Sequence, residues 1–511
     1  MGQGSPFILT KIIATVGPAC ARPEQLHKLI EEGVRVFRLN FSHGTFEQFA
    51  ASLSAIRQAE AMAGQPIGVL GDLSGPKIRI GKVIDGGVPL EVGERVEFVR
   101  RPIVAGSVEA AHPDDPSDLR RFSTTYPQLV DDVSPGQRLL INDGAIRLLV
   151  VEKTGSGEDQ RLVATPTNAG LVTSGKGINL PDTAVSAPSL TEHDHACARW
   201  AMEHGVDFLA LSFVRSAADV RQLKALLRTL RREGATPPPV VAKIEKPQAL
   251  TDLNGIVEAS DGIMVARGDL GVEMDLAEVP VIQKRIIGLA HDHGKPVIVA
   301  TQMLQSMIEE PSPTRAEASD VANAIFDGAD AVMLSGETAV GKYPAVAVST
   351  MRRIAAAAEV HMRTTNNHFN RPPRKLQDSR YRTAAVAHGV SVIVGDLDAK
   401  LVVAWSELGG GARYLSQNRL PVPILAASSN GEALRRMGLL FGVVPLSMDR
   451  PGQNDPNRWL NDIDALLLRR GWAQEGDPVV VVKGEPLGNP GVTNAIRVHY
   501  VGDVCRVEWN T

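Results

Sequence analysis

The chain has 511 residues, which is too long for one hydrophobic core and favours two to four domains. Hydrophobic residues make up 43% and charged residues 22%, the ordinary composition of a soluble globular protein. A net charge of −4 and an aromatic content of 4% argue against a nucleic-acid-binding surface.

The cysteines and the apolar segments indicate the cellular compartment of the protein. The three cysteines, Cys20, Cys197 and Cys505, are far apart and lack metal-site spacing, as in proteins of a reducing compartment. No apolar run approaches the roughly 20 residues that a membrane helix needs. The opening MGQGSPFILTK contains no signal-like segment. We expect a cytoplasmic protein that binds neither membrane nor nucleic acid.

Eight short apolar segments recur through the first 340 residues, and helix-compatible stretches separate most of them. The segments are 11–18, 34–42, 67–75, 208–215, 240–246, 262–271, 297–303 and 331–338. Helix-compatible stretches include 23–33, 217–234 and 279–294. Near-continuous apolar composition is typical of parallel strands that are buried on both faces. About eight strands alternating with helices predict an α/β fold of the (β/α)8 TIM barrel type.

The stretch 82–183 has no helical periodicity and interrupts the barrel after its third strand. Alternating apolar runs flank Asp143-Gly144, which predicts a β-hairpin. We therefore predict an inserted β-barrel domain at 82–183 within a catalytic barrel formed by 1–81 and 184–363. The insert is either a lid over an active site or a surface decoration, and its sequence alone does not decide between them.

The last part of the chain predicts a separate domain. Residues 364–383 are polar and contain prolines, which is typical of a linker. Beyond them, the apolar segments AKLVVAWS, VPILAAS, GVVPLS and PVVVVKG predict a C-terminal α/β domain at 384–511.

Polar residues follow several predicted barrel strands, at the carboxyl ends where barrel enzymes place their chemistry. Lys243 and Glu245 share one face of a strand, and Asp269 follows the next strand after a glycine. Glu245 and Asp269 supply two hard oxygen ligands, which suits Mg²⁺ when phosphates and water complete its coordination. The other interpretation of Lys243 and Glu245 is a structural ion pair.

Other strand ends carry anion-binding or neutral oxygen groups. Arg38 offers a guanidinium fork to phosphate, while Asn40 and Ser42 offer neutral oxygens to a monovalent cation or a sugar. Thr301 and Ser335 follow the last two strands, where a hydroxyl either caps the next helix or binds substrate. This set of groups predicts phosphoryl transfer or enolate stabilisation.

Several motifs resemble those of the pyruvate kinase family over nearly the whole chain. They are TKIIATVGPA, RLNFSHG, GKGINLP, ASDGIMVARGDLGVE and the long run from Ala300 through AVMLSGETA. The resemblance implies a catalytic barrel, an inserted lid, a regulatory C-terminal domain, allosteric control and a homotetramer. It implies that phosphoenolpyruvate and ADP give pyruvate and ATP in glycolysis, with Mg²⁺ as cofactor and Mn²⁺ as a possible substitute.

The same resemblance implies roles for individual residues of this chain. Catalytic roles fall to Lys243, Arg38 and Thr301, and metal binding to Glu245 and Asp269. Substrate binding falls to Arg38, Lys243, Gly268, Asp269, Thr301 and Ser335, and nucleotide binding to Asn40, His43, Arg79, Lys176 and Asp143. For the proton donor to the enolate, we expect Thr301 with a water molecule.

One motif departs from most of the family, whose members need K⁺. The K⁺ pocket corresponds to Asn40, Ser42, Asp72 and Leu73, while Lys77 stands where those members carry an acidic residue. This pattern is similar to that of the K⁺-independent branch. An ammonium group is a tethered monovalent cation, so we expect Lys77 to replace K⁺. The alternative is a solvated loop lysine.

Two further points remain open at this level. The loop WSELGGGARYL at 405–415 has one serine, Ser406, and no threonine, whereas sugar-phosphate-activated members are rich in these residues, so an effector is in doubt. The same barrel chemistry also suits a Mg²⁺-dependent lyase or mutase that stabilises a pyruvate enolate, and a barrel of this kind can serve as a metabolite sensor.

Overall fold

A computed structural model describes residues 7–107, 120–231, 236–365, 372–375, 381–450, 458–485 and 492–503. Eight parallel strands close into a barrel in which each strand pairs with its successor and the last pairs with the first. The barrel strands are β1 Lys11–Thr15, β2 Val34–Asn40, β3 Gly68–Asp72, β4 Phe208–Leu211, β5 Val240–Ile244, β6 Gly262–Ala266, β7 Val297–Ala300 and β8 Ala331–Leu334. The predicted TIM barrel is confirmed.

Burial explains why the barrel segments are almost entirely apolar. Every residue of the strands other than β2 is buried, because one strand face packs inside the barrel and the other against the helices. In β1, Ile13 belongs to the cluster inside the barrel, and Ile12 and Ala14 belong to the cluster beneath the helices. The half-buried positions of β2 are polar, and they include Arg38 and Asn40.

Helices surround the barrel and alternate with its strands. They are Pro23–Glu32, Phe46–Ala63, Glu192–His204, Ala217–Leu230, Leu253–Ala259, Arg267–Glu273, Val279–Asp292, Arg315–Phe326, Gly336–Ala339 and Pro344–Thr364, with short 3₁₀ turns at Pro18–Cys20, Pro247–Leu250 and Gln305–Ile308. The helix Phe46–Ala63 shows how local sequence sets its bounds. Thr45 caps its first turn, and Gly64 ends it in the left-handed conformation that glycine adopts without strain.

The insert is a β domain with a core of its own. That core runs from Ile78 to Leu180 and includes Phe98 and Phe122. Its main sheet has the order Ile178–Asn179, Arg138–Ile141, Ile146–Thr154, Arg161–Pro166, Val96–Val99, Arg121–Ser123. Two small sheets pair Lys82–Val83 with Val104–Ala105 and Val88–Leu90 with Gly170–Val172, and short turns occupy Leu129–Asp132 and Gly157–Asp159. Within the described residues this is an open, partial barrel.

The hairpin predicted at Asp143-Gly144 is confirmed. Ile146 lies opposite Ile141 in antiparallel register, so the two residues sit in a four-residue loop. Asn142, Asp143 and Gly144 all have positive φ values, of 54°, 52° and 82°. Asn, Asp and Gly tolerate this conformation best, which is why the sequence signal was readable.

The C-terminal domain is a five-stranded sheet flanked by helices, as expected. Its strand order is Val443–Ser447, Ile424–Ser428, Leu401–Trp405, Pro478–Lys483, Ala495–Tyr500, and only the last pairing is antiparallel. Its helices are Arg382–Asp396, Gly410–Gln417, Gly431–Met437 and Arg458–Arg470. Most of the predicted linker lies outside the described residues, as does Cys505.

The C-terminal domain packs against the amino-terminal end of the barrel through buried polar contacts. Arg419 donates to Asp330 at 3.1 Å and to the carbonyl oxygen of Gly328 at 2.9 Å. Lys11, at the start of β1, donates to the carbonyl oxygen of Val443 at 2.7 Å. The opposite, carboxyl end of the barrel is therefore left for the insert and the predicted site. Among the described residues, no helix combines the length and apolar character needed to span a membrane.

Candidate active site

A buried network of four charges lies at the carboxyl end of the barrel. Nζ of Lys243 on β5 lies 2.9 Å from Oε1 of Glu245 and 3.2 Å from Oδ1 of Asp72, which ends β3. Arg38 on β2 contacts Oδ2 of Asp72 through Nε at 2.7 Å and through Nη2 at 2.6 Å. The barrel thus brings together two cations and two carboxylates from three strands.

Because the network is buried, the ion pairs determine whether Lys243 and Asp72 are charged. Glu245 and Asp72 are each 1% exposed and Lys243 is 9% exposed. Burial alone would lower the pKa of Lys243, but the charges of Asp72 and Glu245 outweigh it and raise the pKa to about 12. Burial alone would raise the pKa of Asp72, but Lys243 and Arg38 outweigh it and lower that pKa. Lys243 is therefore a charged ammonium at neutral pH.

Sequence reasoning missed two neighbours of this network. The Ser212 hydroxyl lies 2.7 Å from Nζ of Lys243 and 3.4 Å from Oδ1 of Asp72. The backbone N–H of Phe213 donates to Oε2 of Glu245 at 2.7 Å, and Phe213 has a positive φ of 54°. A positive φ in a bulky residue is a genuine outlier, so this loop holds its N–H towards Glu245 against local preference. Ser212 directly follows β4, and that position was the available signal.

Thr301 and Gly268 form a second corner of the site. Oγ1 of Thr301 accepts the backbone N–H of Gly268 at 2.6 Å and donates to the carbonyl oxygen of Ala300 at 2.6 Å. Thr301 has a φ of 72° and the next residue, Gln302, a φ of 54°. β-branched residues rarely adopt this conformation, and strained backbone of this kind clusters at functional sites, so the turn after β7 is a candidate for one.

Asp269 lies in the first turn of the helix Arg267–Glu273 and is half-buried. Burial raises the pKa of Glu245; Lys243 opposes the rise, and the charge of Asp269 adds to it. Two carboxylates close enough to repel each other suit a shared cation, so the residues present fit a divalent metal. Among the described residues, no cluster of three or more His, Cys, Asp or Glu could hold a metal by itself.

Ser335 does not cap the helix that follows it. Its hydroxyl makes no capping bond to Gly336–Ala339, and Oγ is buried without a hydrogen-bond partner among the described residues. The backbone N–H of Ser335 donates instead to Glu337 at 2.7 Å, and Glu337 also accepts the N–H of Leu304 at 3.1 Å. A buried hydroxyl without a partner calls for an explanation, and a bound water or ligand would supply one.

Ile78 and Ile80, which precede the predicted start of the insert at 82, pack in its core, so Arg79 between them lies in the insert. The insert thus carries three of the five residues predicted on the nucleotide side. Arg79 forms an antiparallel bridge with Gly177, and the N–H of Ile80 donates to the carbonyl oxygen of Lys176 at 2.8 Å. Asp143 is exposed at the hairpin tip. These three residues therefore belong to one folded unit beside the barrel.

The other two residues predicted on the nucleotide side follow β2. Asn40 accepts the N–H of Ser42 through Oδ1 at 3.2 Å, and His43 is exposed. No side-chain hydrogen bond joins any two of the five predicted nucleotide residues, all of which are described.

Among the described residues, the ammonium of Lys77 makes no ion pair or hydrogen bond with Asn40, Ser42 or Asp72 of the predicted K⁺ pocket. Leu73 is buried and Asp72 is held by Arg38 and Lys243. Lys77 is exposed, and within the described part of the chain its ammonium forms no ion pair. Its Cε lies close to Gly177: a Cβ built on that glycine would be 3.3 Å away. The side chain thus extends towards the segment that carries Lys176.

The one serine of the C-terminal loop already has a hydrogen-bond partner. Oγ of Ser406 accepts the N–H of Ala412 at 3.1 Å. Glu407 accepts from the Ser429 hydroxyl at 2.6 Å. These contacts hold the loop to itself and to the residue that follows the strand Ile424–Ser428.

Two family models cover most of the chain. The one described as "Pyruvate kinase, barrel domain" matches residues 8–348, and "Pyruvate kinase, alpha/beta domain" matches residues 384–499. The chain belongs to the pyruvate kinase family. It is accordingly a phosphotransferase, which confirms the resemblance drawn from its motifs and the expectation of an enzyme.

Relatives within this family align over nearly the whole chain. Pyruvate kinase of Mycobacterium tuberculosis is 42% identical over 493 residues, which cover 96% of this chain and 98% of the relative. Pyruvate kinase of Corynebacterium glutamicum is 41% identical over 498 residues, covering 98% of each. That of Geobacillus stearothermophilus is 40% identical over 498 residues, which cover 97% of this chain and 81% of the relative.

Proposed function

We propose that this protein transfers the phosphoryl group of phosphoenolpyruvate to ADP, giving pyruvate and ATP in glycolysis. The observation that carries the proposal is the buried network of Arg38, Asp72, Lys243 and Glu245, which holds an ammonium charge at the carboxyl end of a barrel of this family. The reaction forms an enolate, and a fixed cation in a buried site stabilises such a charge far better than water does.

Each group has a role that follows from its chemistry. The ammonium of Lys243 stabilises the phosphoryl group in transfer and the enolate oxygen, and Arg38 grips the phosphoryl oxygens. The carboxylate of the substrate sits against the backbone of Gly268 and Asp269 and the hydroxyls of Thr301 and Ser335. Thr301, through a water molecule, delivers the proton to the enolate carbon.

Glu245 and Asp269 would hold the divalent ion, Mg²⁺ or in its place Mn²⁺. When bound, such an ion neutralises phosphate charge and orients the phosphoryl group for in-line transfer. The two carboxylates leave most of its coordination positions to substrate oxygens and water.

The insert acts as a lid that brings Arg79, Lys176 and Asp143 to the nucleotide, beside Asn40 and His43. Closure of such a lid excludes water from the transfer. The enzyme further acts in the cytoplasm as an allosteric homotetramer, in keeping with its family. The domain bounds are those predicted from the sequence, except that Ile78 and Ile80 pack with the insert.

K⁺ is not required, because Lys77 supplies a tethered cation. Two features support this: Asp72 is already neutralised by two cations, and the ammonium of Lys77 is free of ion pairs within the described residues. Its position beside the segment of Lys176 suits phosphate charge on the nucleotide side. The alternative remains a solvated lysine.

The test is the initial rate of pyruvate formation from phosphoenolpyruvate and ADP with Mg²⁺, in tetramethylammonium buffer with and without K⁺. Full activity without K⁺, together with restored K⁺ dependence in Lys77→Glu, supports both the reaction and the role of Lys77. If the enzyme is active only with K⁺, the proposed reaction is supported and the proposed role of Lys77 is wrong. No activity from folded protein in either buffer would favour an enolate lyase, although membership of a phosphotransferase family argues against that and against a sensor.

A further inference from the structure

Glu273 is a buried carboxylate that the proposed reaction does not use. It ends the helix Arg267–Glu273 and is 2% exposed. Its Oε1 accepts from Nδ2 of Asn179 at 2.8 Å and also pairs with the ammonium of Lys246. Its Oε2 is buried and has no hydrogen-bond partner among the described residues. One oxygen atom therefore joins a residue of the insert to a residue of the barrel.

The three elements that meet at Glu273 each carry part of the proposed site. The helix that Glu273 ends begins with the turn that holds Asp269. Lys246 directly follows Glu245, and its ammonium lies 5.7 Å from the ring centroid of Phe213, whose N–H binds Glu245. Glu273 is thus connected to both predicted metal ligands through short, ordered segments.

On the other side, Asn179 belongs to the edge strand of the insert. Ile178–Asn179 pairs with Arg138–Ile141, the first strand of the hairpin that carries Asp143. Two residues before Ile178 is Lys176, and Gly177 bridges to Arg79. The strand held by Glu273 is therefore the one to which all three nucleotide residues of the insert are attached.

The hairpin also lies near the same helix. A Cβ built at Gly144 would stand 3.7 Å from Cγ1 of Val272, the neighbour of Glu273. The insert and the helix of Asp269 thus meet at a polar contact and lie close together at the hairpin. The polar one is charge-assisted and buried, which makes it stronger and more directional than an exposed contact.

We propose that Glu273 is a positioning residue that sets the insert at the distance at which Lys176, Arg79 and Asp143 reach the nucleotide. This inference rests on the proposed function, because it assumes that the insert binds ADP. It assigns Glu273, Asn179 and Lys246 to nucleotide affinity, while phosphoenolpyruvate binds to groups of the barrel alone. Loss of the contact therefore acts on the KM for ADP and not on the KM for phosphoenolpyruvate.

The first variant is Asn179→Ala, which removes the amide donor and leaves the buried ion pair intact. The KM for ADP should rise about tenfold, the typical effect of losing a hydrogen bond to a charged group. The KM for phosphoenolpyruvate should stay within about twofold. Asn179→Asp should raise the KM for ADP further, because it places a second carboxylate against Glu273.

A second variant removes the carboxylate without leaving a charge unpaired. Glu273→Leu combined with Lys246→Met replaces the buried ion pair with apolar side chains, an exchange that folded proteins generally tolerate. It should reproduce the ADP effect of Asn179→Ala, and adding Asn179→Ala should have no further effect. The matched control is Glu152→Gln, a carboxylate on the surface of the insert paired with Arg95 at 3.0 Å, which should leave both KM values unchanged.

Hydrogen exchange separates this inference from the proposed function. Without any substrate, Asn179→Ala should speed amide exchange in the strands Ile178–Asn179 and Arg138–Ile141 relative to the Glu152→Gln control. If the wild type is folded but inactive, the proposed function is wrong. The hydrogen-exchange result would then still test whether Glu273 positions the insert. Unchanged exchange with an unchanged KM for ADP would overturn the inference, as would equal rises in both KM values.

Discussion

Replacing Lys243 with methionine tests the central network. The change removes an ammonium that lies 2.9 Å from Glu245 and 3.2 Å from Asp72, both buried carboxylates. At an effective dielectric constant of about 20, each of these pairs is worth about 5–6 kcal/mol of Coulomb energy. Methionine has a similar length and no charge. Among the described residues, the change therefore leaves Glu245 with only the N–H of Phe213 as a partner.

The net loss of stability is smaller than that sum. Folding of the variant no longer has to desolvate the ammonium, and breaking a buried ion pair typically costs about 3–5 kcal/mol. We expect the free energy of unfolding of Lys243→Met to fall by that amount. Adding Glu245→Gln removes the uncompensated charge, so the double variant should recover most of the stability. Denaturant unfolding of the three proteins measures this.

Activity should respond differently from stability. Loss of one fixed electrostatic group of this kind lowers kcat by about 10²–10³ or more, and the double variant should stay inactive although it is stable. The matched control is Lys224→Met, a surface lysine paired with Asp261 at 2.8 Å, which should keep its activity. If folded Lys243→Met kept kcat within about tenfold of wild type, the assigned role of the ammonium would be wrong.

Three further predictions concern other parts of the molecule. Burial lowers the pKa of Lys11 from 10.5 to about 7 in the folded protein. Between these two pH values, Lys11 is protonated in the unfolded chain and mostly neutral in the folded protein. The free energy of unfolding should therefore rise with pH over this range, by about 1.4 kcal/mol per pH unit. Urea unfolding across this range should show that rise in wild type, and an equal slope in Lys11→Met would contradict it. Ser335→Ala should change the free energy of unfolding by less than about 0.5 kcal/mol and should raise the KM for phosphoenolpyruvate. If Ser335 were a helix cap, the same change would cost about 1 kcal/mol of stability and would leave that KM unchanged. Arg419→Met removes the guanidinium from Asp330, which keeps the N–H of Val297 at 2.7 Å and His291 at 3.7 Å. The variant should lower stability in denaturant unfolding by no more than the about 3–5 kcal/mol of a fully broken buried ion pair.

The sequence by itself determined the architecture and the chemical inventory. Eight apolar segments each contain one barrel strand, because strands buried on both faces must be apolar along their whole length. The Asp143-Gly144 turn was predictable because only a few residue types tolerate positive φ. Lys243, Glu245 and Asp269 stood out because strand ends in a barrel converge on one face.

Tertiary structure alone decided which of these groups touch. Asp72 and Lys243 are 171 residues apart in the chain, and no local pattern encodes their contact. The same holds for Asn179 and Glu273, 94 residues apart, and for the Ser212 hydroxyl beside Lys243. The direction in which Lys77 extends also depends on packing against Gly177. Periodicity reports burial of single elements, whereas these contacts arise only when the barrel closes and the insert folds back onto it.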